Sequence, residues 1–253
     1  MSSTIWHRSG GTTHLRDYAG DPWRVVEAQH RISTRKLVDS DEEQELLEAL
    51  LEDVKPPIPP DPDLGRLHYL LFTPFRHPPL RHGSRFGTRA ERSLFYASEQ
   101  LHTAFAEVAY YRLVFLEESA ADLAPLLVEL TAFCVAVASA RAIDLTAPPF
   151  DAFRRSLVSR SSYRVTQALG RDMRADLVEV FRYESARDRR HGVSLGVYTP
   201  SVFQADRPRG LQTWLCVATA DDVELSRKNY FHHGVHHFPR TDFTIRGKVP
   251  TPA

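Results

Sequence analysis

Three polar residues in the first half of the chain stand in settings that suit chemistry more than solvation. Arg85 lies between two glycines in Gly83-Ser84-Arg85-Phe86-Gly87. There the backbone can turn tightly and project a guanidinium whose fork matches pyrophosphate or carboxylate bidentately. Tyr96 sits in the apolar run Ser93-Leu94-Phe95-Tyr96-Ala97, and Glu107 shares a helix flank with Thr103, Ala104 and Tyr111, three or four residues away. A carboxylate among alanines and tyrosines is less common than a solvated one and is often paired or functional. A cation on a loop, an aromatic on a strand and a carboxylate on a helix can converge on one pocket. Taken singly, each also has a plain reading: a surface arginine, a core tyrosine with a satisfied hydroxyl, a solvated glutamate.

The elements that would position these groups follow from periodicity and punctuation. Residues 93–97 predict a strand, and 101–113 a helix with core face Leu101, Phe105, Val108 and Ala109. Upstream, 68–72 reads as a strand, and the prolines of 73–79 force irregular backbone. Downstream, 126–138 reads as a long central strand and 142–146 as a short one. Ser161 or Ser162 can cap a helix through Ala175 with Val165, Ala168 and Leu169 inward. Residues 177–185 alternate, which puts Leu177, Phe181, Tyr183 and Ser185 on one side, and further strands are expected at 193–198, 213–219 and 243–248. Strands and helices interleave without the glycine fingerprint of a dinucleotide-binding βαβ unit. A mixed α+β domain with an antiparallel-leaning sheet is therefore expected.

Ahead of that region, residues 1–22 are polar and predict a poorly ordered or surface-lying segment, followed by a helix over 24–30. A better-marked helix starts at Ser40-Asp41-Glu42-Glu43, a capping box, and carries the stripe Leu46, Leu47, Leu50, Leu51 and Val54, which needs a packing partner. Five prolines between Lys55 and Asp63 then predict a rigid polyproline connector. The chain divides accordingly into a helical N-terminal extension with its connector, 1–66, and a main domain, 67–253.

Composition narrows the function classes. Apolar content of 42% and charged content of 25% are ordinary for a globular protein, and 32 basic residues balance 32 acidic ones, so no overall field favours nucleic acid. The basic stretch Arg187-Asp188-Arg189-Arg190 is a weak nucleic-acid signal on a neutral chain. No run approaches the ~18 apolar residues of a membrane span. The first residues lack a basic region followed by an apolar core, so no signal peptide is expected. Cys134 and Cys216 lie in apolar runs, which favours free thiols and a cytoplasmic setting. Neither a Gly-x-Ser-x-Gly elbow nor a Walker-type phosphate loop occurs. The run His232-His233-Gly234-Val235-His236-His237 could bind zinc, but it holds no cysteine or acid, so a surface cluster is the preferred reading and no metal is assigned.

The order and spacing of five segments resemble the RES-domain family, toxins of RES–Xre type II toxin–antitoxin modules named for an arginine, a glutamate and a serine. The segments are Gly83-Ser84-Arg85-Phe86-Gly87, Leu94-Phe95-Tyr96-Ala97-Ser98, Thr103-Ala104-Phe105-Ala106-Glu107, residues 163–167, and Tyr183-Glu184-Ser185-Ala186-Arg187. They cover about 67–205. The resemblance implies an ADP-ribosyltransferase-like fold of mainly antiparallel sheets flanked by helices, which binds NAD+ and breaks its nicotinamide–ribose bond. It makes Arg85, Glu107 and Ser185 the name-giving residues and Tyr96 the associated aromatic. Glu107 would stabilise an oxocarbenium-like ribose, Arg85 would orient the nucleotide, and Tyr96 would wall off the nicotinamide. Ser185, Arg187 and, as a second family arginine, Arg76 would contact the substrate.

The resemblance implies no cofactor beyond NAD+ as substrate, and a partner: an Xre-like antitoxin that occludes the active site and carries any DNA binding. The acceptor of ADP-ribose stays open between water, phosphate and a protein side chain. Arginine-specific transferases carry a second glutamate two positions before the catalytic one, and Phe105 stands there. NAD+ consumption with water or phosphate is therefore preferred over protein modification, with a non-catalytic nucleotide-binding module as the further alternative.

Overall fold

The computed structural model describes residues 4–28, 38–121 and 123–251. Its strands are β1 (Arg16–Gly20), β2 (Trp23–Glu27), β3 (Phe95–Ser98), β4 (Leu126–Cys134), β5 (Val137–Asp144), β6 (Val180–Glu184), β7 (Val193–Val197), β8 (Arg209–Ala218), β9 (Asp222–Arg227) and β10 (Val235–Pro239). Its α-helices are α1 (Ile5–Arg8), α2 (Asp41–Asp53), α3 (Pro62–Arg66), α4 (Tyr69–Arg76), α5 (Leu101–Glu118), α6 (Arg154–Leu157) and α7 (Arg164–Ala175). The strands join one sheet in the order β1-β5-β6-β7-β3-β2-β4-β8-β9-β10. Only β5 and β6 run parallel, so the expected α+β class with a mainly antiparallel sheet holds.

The sheet has one weak seam. Strands β2 and β3 share a single backbone pair, Trp23 with Ser98, whereas β2 makes five pairs with β4. Core packing bridges the seam, since Phe133 of β4 and Val26 of β2 pack in the same cluster as Phe95 and Val197. Helix α5 lays Phe105, Ala109, Tyr110 and Leu113 on β4, β8 and β9, against Leu130, Trp214, Cys216 and Leu225. Helices α3 and α4 bury Leu64, Leu71 and Phe75 against Phe95, Leu195 and Val197. Helix α7 buries Leu169 and Met173 in a third cluster with Phe86, Phe150, Phe181 and Tyr183. Each such side chain contributes about 1.5–3 kcal/mol on leaving water, so core packing across the seam, more than its single backbone pair, holds the sheet together there.

Several elements differ from expectation for identifiable reasons. Among its described residues the N-terminal part is not purely helical, and it packs into the fold. Trp6 is buried, β1 pairs with β5, and the expected helix at 24–30 is strand β2 over its described part, because Val25 and Val26 fit a pleated surface between two partners. Residues 29 and 30 lie outside the described residues. The expected strand at 68–72 is the start of α4, where His68 Nδ1 caps the Leu70 amide and Leu70, Leu71 and Phe75 turn inward. The run 126–138 breaks into β4 and β5, and the 142–146 strand is the end of β5. Helix α7 begins at Arg164 with Val165 turned outward, and Leu177 is exposed at positive φ just before β6. Residues 243–248 form a turn with one bridge instead of a strand, while β9 and β10 supply the sheet's edge.

The capping box of α2 forms nearly as read: Ser40 Oγ accepts from the Glu43 amide at 3.1 Å, and Glu43 accepts from the Asp39 amide, one residue before the cap. Its leucine stripe does not pack as expected, since Leu46, Leu50, Leu51 and Val54 stay exposed.

Close approach of α7 to the Arg85 loop depends on one glycine. A Cβ at Gly170 would lie 2.1 Å from the Phe86 carbonyl oxygen, a backbone atom that cannot swing away. Gly170→Ala should therefore destabilise the protein by about 1–3 kcal/mol in urea unfolding despite alanine's better helix propensity.

Candidate active site

Beyond the Trp23–Ser98 pair, β2 and β3 make no further backbone pairs, and a cavity of about 400 Å³ occupies the space between them. That lies within the roughly 300–1,000 Å³ usual for small-molecule sites. Arg24 to Glu27 form one wall, Tyr96 to Ser98 the other, and Glu107, Val108 and Tyr111 of α5 close one side. Ser84, Arg85, Tyr163 and Tyr183 also line it.

Glu107 is half-buried, and its position is set from across the fold. Ser185, buried just past the end of β6, donates its hydroxyl to Glu107 Oε1 at 2.6 Å. The same Ser185 Oγ accepts from the amides of Arg187 and Asp188, at 3.1 and 3.2 Å. Asp188 in turn accepts from Thr103 on α5 at 2.8 Å. The loop after β6 is thus tied to α5 at two points four residues apart, and the carboxylate is held by a charge-assisted bond. Glu107 Oε2 has no partner among the described residues, so it is available to a ligand hydroxyl.

Arg85 is buried although it carries a charge. Its Nη1 donates to the carbonyls of Leu157 and Ser159 at 3.2 and 2.9 Å, its guanidinium lies 4.8 Å from the Tyr163 ring centre, and its Nη2 has no partner. Tyr96 fixes the same loop: its hydroxyl accepts from the Phe86 amide at 3.0 Å and bonds Ser84 Oγ at 2.9 Å. Burial pushes that hydroxyl up to about 12, so it stays protonated across the neutral range. Tyr96 acts here as a brace for the Arg85 loop as well as a wall of the cavity.

The structure thus brings Arg85, Tyr96, Glu107 and Ser185 together and separates the other two expected residues. Arg76 donates to the Pro56 carbonyl and to Glu52, both at 2.6 Å, and ties α4 to the end of α2 away from the cleft. Arg187 is buried with its guanidinium 3.5 Å from the Tyr110 ring centre, and it lines a second cavity, which Ser185 also lines.

Sequence reasoning missed a residue that the geometry places in the cleft. Arg24, on β2, donates from Nη1 to the Tyr96 carbonyl at 2.6 Å, across the strands where the ladder is open. Its Nε has no partner, it makes no ion pair among the described residues, and burial lowers it to about 10. The assignment of 24–30 to a helix hid it; a strand reading of Trp23-Arg24-Val25-Val26 would have found it. Tyr163 and Tyr183 stood in quoted segments but were given no role.

The histidine run scatters. His237 bonds Asp222 at 2.8 Å on β10, while His236 meets His102, Nδ1 to Nδ1, at 3.1 Å, and His232 and His233 are exposed. Among the described residues no group of three or more metal-ligating side chains occurs. Both cysteines are free.

Fold and cleft together define an α+β protein whose pocket sets one held carboxylate against two unpaired guanidinium groups and a tyrosine wall. A family model described as the RES domain matches residues 63–219, more than half of the chain. The chain belongs to the RES-domain family, which is associated with toxin–antitoxin modules and related to NAD. A search of curated proteins found no match. Trp23 and Arg24 lie outside the matched span.

The Tyr96 hydroxyl yields a prediction with a defined sign. It ionises near 10 in the unfolded chain and near 12 in the folded one, so its contribution is complete below 10 and is lost as pH rises from 10 towards 12. Tyr96→Phe should remove this part of the alkaline fall in urea-measured stability. At neutral pH it should cost about 1–3 kcal/mol, because the Phe86 amide loses its acceptor.

Proposed function

We propose that the chain is the toxin of a toxin–antitoxin pair and that its cleft binds NAD+ and cleaves the nicotinamide–ribose bond. The observation that carries this reading is Glu107, fixed by Ser185 on one oxygen and open to a ligand on the other, facing a cleft with two unpaired guanidinium groups. Arg24 and Arg85 suit a diphosphate, because each is anchored by carbonyls and has an N–H left over. The ring of Tyr96, braced through its hydroxyl, suits the nicotinamide side.

In the reaction the C–N bond breaks with its electron pair leaving on nicotinamide, which departs neutral. The ribose becomes oxocarbenium-like, and Glu107 stabilises that charge while Oε2 accepts from a ribose hydroxyl. Addition of water gives ADP-ribose and a proton; addition of phosphate gives ADP-ribose 1″-phosphate. Consumption of NAD+ by one of these acceptors is the favoured reading, and transfer to a protein side chain is the second. The absence of a glutamate at Phe105 speaks against an arginine acceptor. No cofactor other than NAD+ itself enters the scheme, and the expected antitoxin would act by covering the mouth of the cleft. No described helix is long and apolar enough to cross a membrane.

Incubation of the pure protein with NAD+ in water, in phosphate and with a cell lysate should release nicotinamide, and mass spectrometry of the products identifies the acceptor. Glu107→Gln should lower the rate by about 10²–10³-fold, with a smaller loss for Ser185→Ala. Intact NAD+ under all three conditions would sink the proposal.

A further inference from the structure

Ser185 lines a second cavity of about 260 Å³, which shares no lining residue with the cleft of Glu107 and has a cationic lining. Its three carboxylates are already engaged. Glu184 receives both Arg154 and His191, Asp242 receives Arg189 at 2.7 Å, and Asp188 receives Thr103 and the Arg190 amide. Two further guanidinium groups in the lining, Arg160 and Arg187, make no ion pair among the described residues.

Both are held in place by neutral groups. Arg187 donates from Nη1 to the Arg160 carbonyl at 3.1 Å and stacks on Tyr110, while Arg160 donates from Nη2 to the Asp242 carbonyl at 2.6 Å. Three buried N–H-bearing atoms remain without partners: Arg160 Nε, Arg187 Nε and Arg187 Nη2. Arg187 is 2% exposed, so water does not serve it freely. Burial, then the neighbouring Arg187 and Arg189, draws Arg160 below its ordinary value. Unsatisfied donors on a buried cation are costly, and an anion with several acceptor oxygens would relieve both the missing bonds and the mutual repulsion.

We infer that this cavity is a binding site for a phosphoryl dianion, as free phosphate or as the end group of a phosphate monoester, separate from the cleft of Glu107. A tetrahedral oxyanion offers oxygens in several directions, which matches two guanidinium groups from different elements better than the two oxygens of a carboxylate. The site touches the candidate catalytic group through one atom. The amides of Arg187 and Asp188 converge on Ser185 Oγ, which donates to Glu107, so an anion that steadies Arg187 also steadies the carboxylate's support.

Calorimetric titration of the full chain with inorganic phosphate and with glycerol phosphate, at constant ionic strength and without NAD+, tests the site. Because no NAD+ is present, the result is independent of the turnover proposed above. Saturable binding is expected, and Arg160→Gln should weaken it by about tenfold or more. Ala186 also lines the cavity, and Ala186→Glu would supply an internal carboxylate. That variant should abolish phosphate binding and raise the melting temperature. Binding of both ligands supports recognition of the phosphoryl group in general, and binding of inorganic phosphate alone supports the free ion as the ligand. No saturable binding to the wild-type protein would overturn the site. So would binding that survives both substitutions but falls in Arg85→Gln, since the anion would then lie in the Glu107 cleft.

Discussion

The incomplete pairing of β2 with β3 is the constraint from which the cleft follows. A sheet that stayed hydrogen-bonded through its centre would leave no space between Tyr96 and Arg24, and α5 would lie over a continuous surface. Instead one backbone pair marks the seam, and Arg24 crosses the opening beyond it to the Tyr96 carbonyl. The strands can part there because core packing spans the gap: Phe133 of β4 shares a cluster with Phe95 of β3 and with α3 and α4, while α5 packs on β4, β8 and β9. The gap costs few contacts in either core, and it gives a carboxylate and two guanidinium groups a common volume partly withdrawn from water.

Within that volume the charges are positioned by the main chain more than by one another. Arg85 is gripped by two carbonyls, Arg24 by one, and Glu107 by a serine that is itself fixed by two amides. Neutral anchors keep the guanidinium groups charged and uncommitted, whereas a carboxylate partner would have satisfied them and left nothing for a ligand. The ion pair between Arg112 and Glu27 on the cleft's lining shows the contrast, for both of its charges are spent on each other.

The grouping of Arg85, Tyr96, Glu107 and Ser185 around the candidate cleft was legible because these residues stand in short, punctuated segments. Glycines around Arg85, the strand at Tyr96 and the helix at Glu107 each declare their local structure, and the motif order linked them to Ser185. The class of fold was legible as well. Arg24 was not, because Trp23-Arg24-Val25-Val26 carries no turn signal and is too short to separate strand from helix by periodicity. Its strand state comes from partners far along the chain. Arg76 and Arg187 misled for the opposite reason: their types fit a phosphate contact, but direction is set by packing, which turns one towards Glu52 and the other into the second cavity. The α2 stripe misled because regular spacing describes an amphipathic helix and says nothing about whether a partner covers it.

The position of β2 also bears on how the chain reaches its working state. Residues 23–27 pair with 130–134, and the serine that holds Glu107 comes some fifty residues later still. During synthesis the first wall of the cleft must therefore wait until the segment through Cys134 has followed, and such distant pairings form slowly. A ribosome-bound fragment that ends before Ser185 can pair β2 with β4, but it lacks β7, which flanks the Tyr96 wall, and the serine that holds Glu107. The Tyr96 wall and the support of Glu107 both depend on residues 185–197, so neither is in place until that one segment has been made.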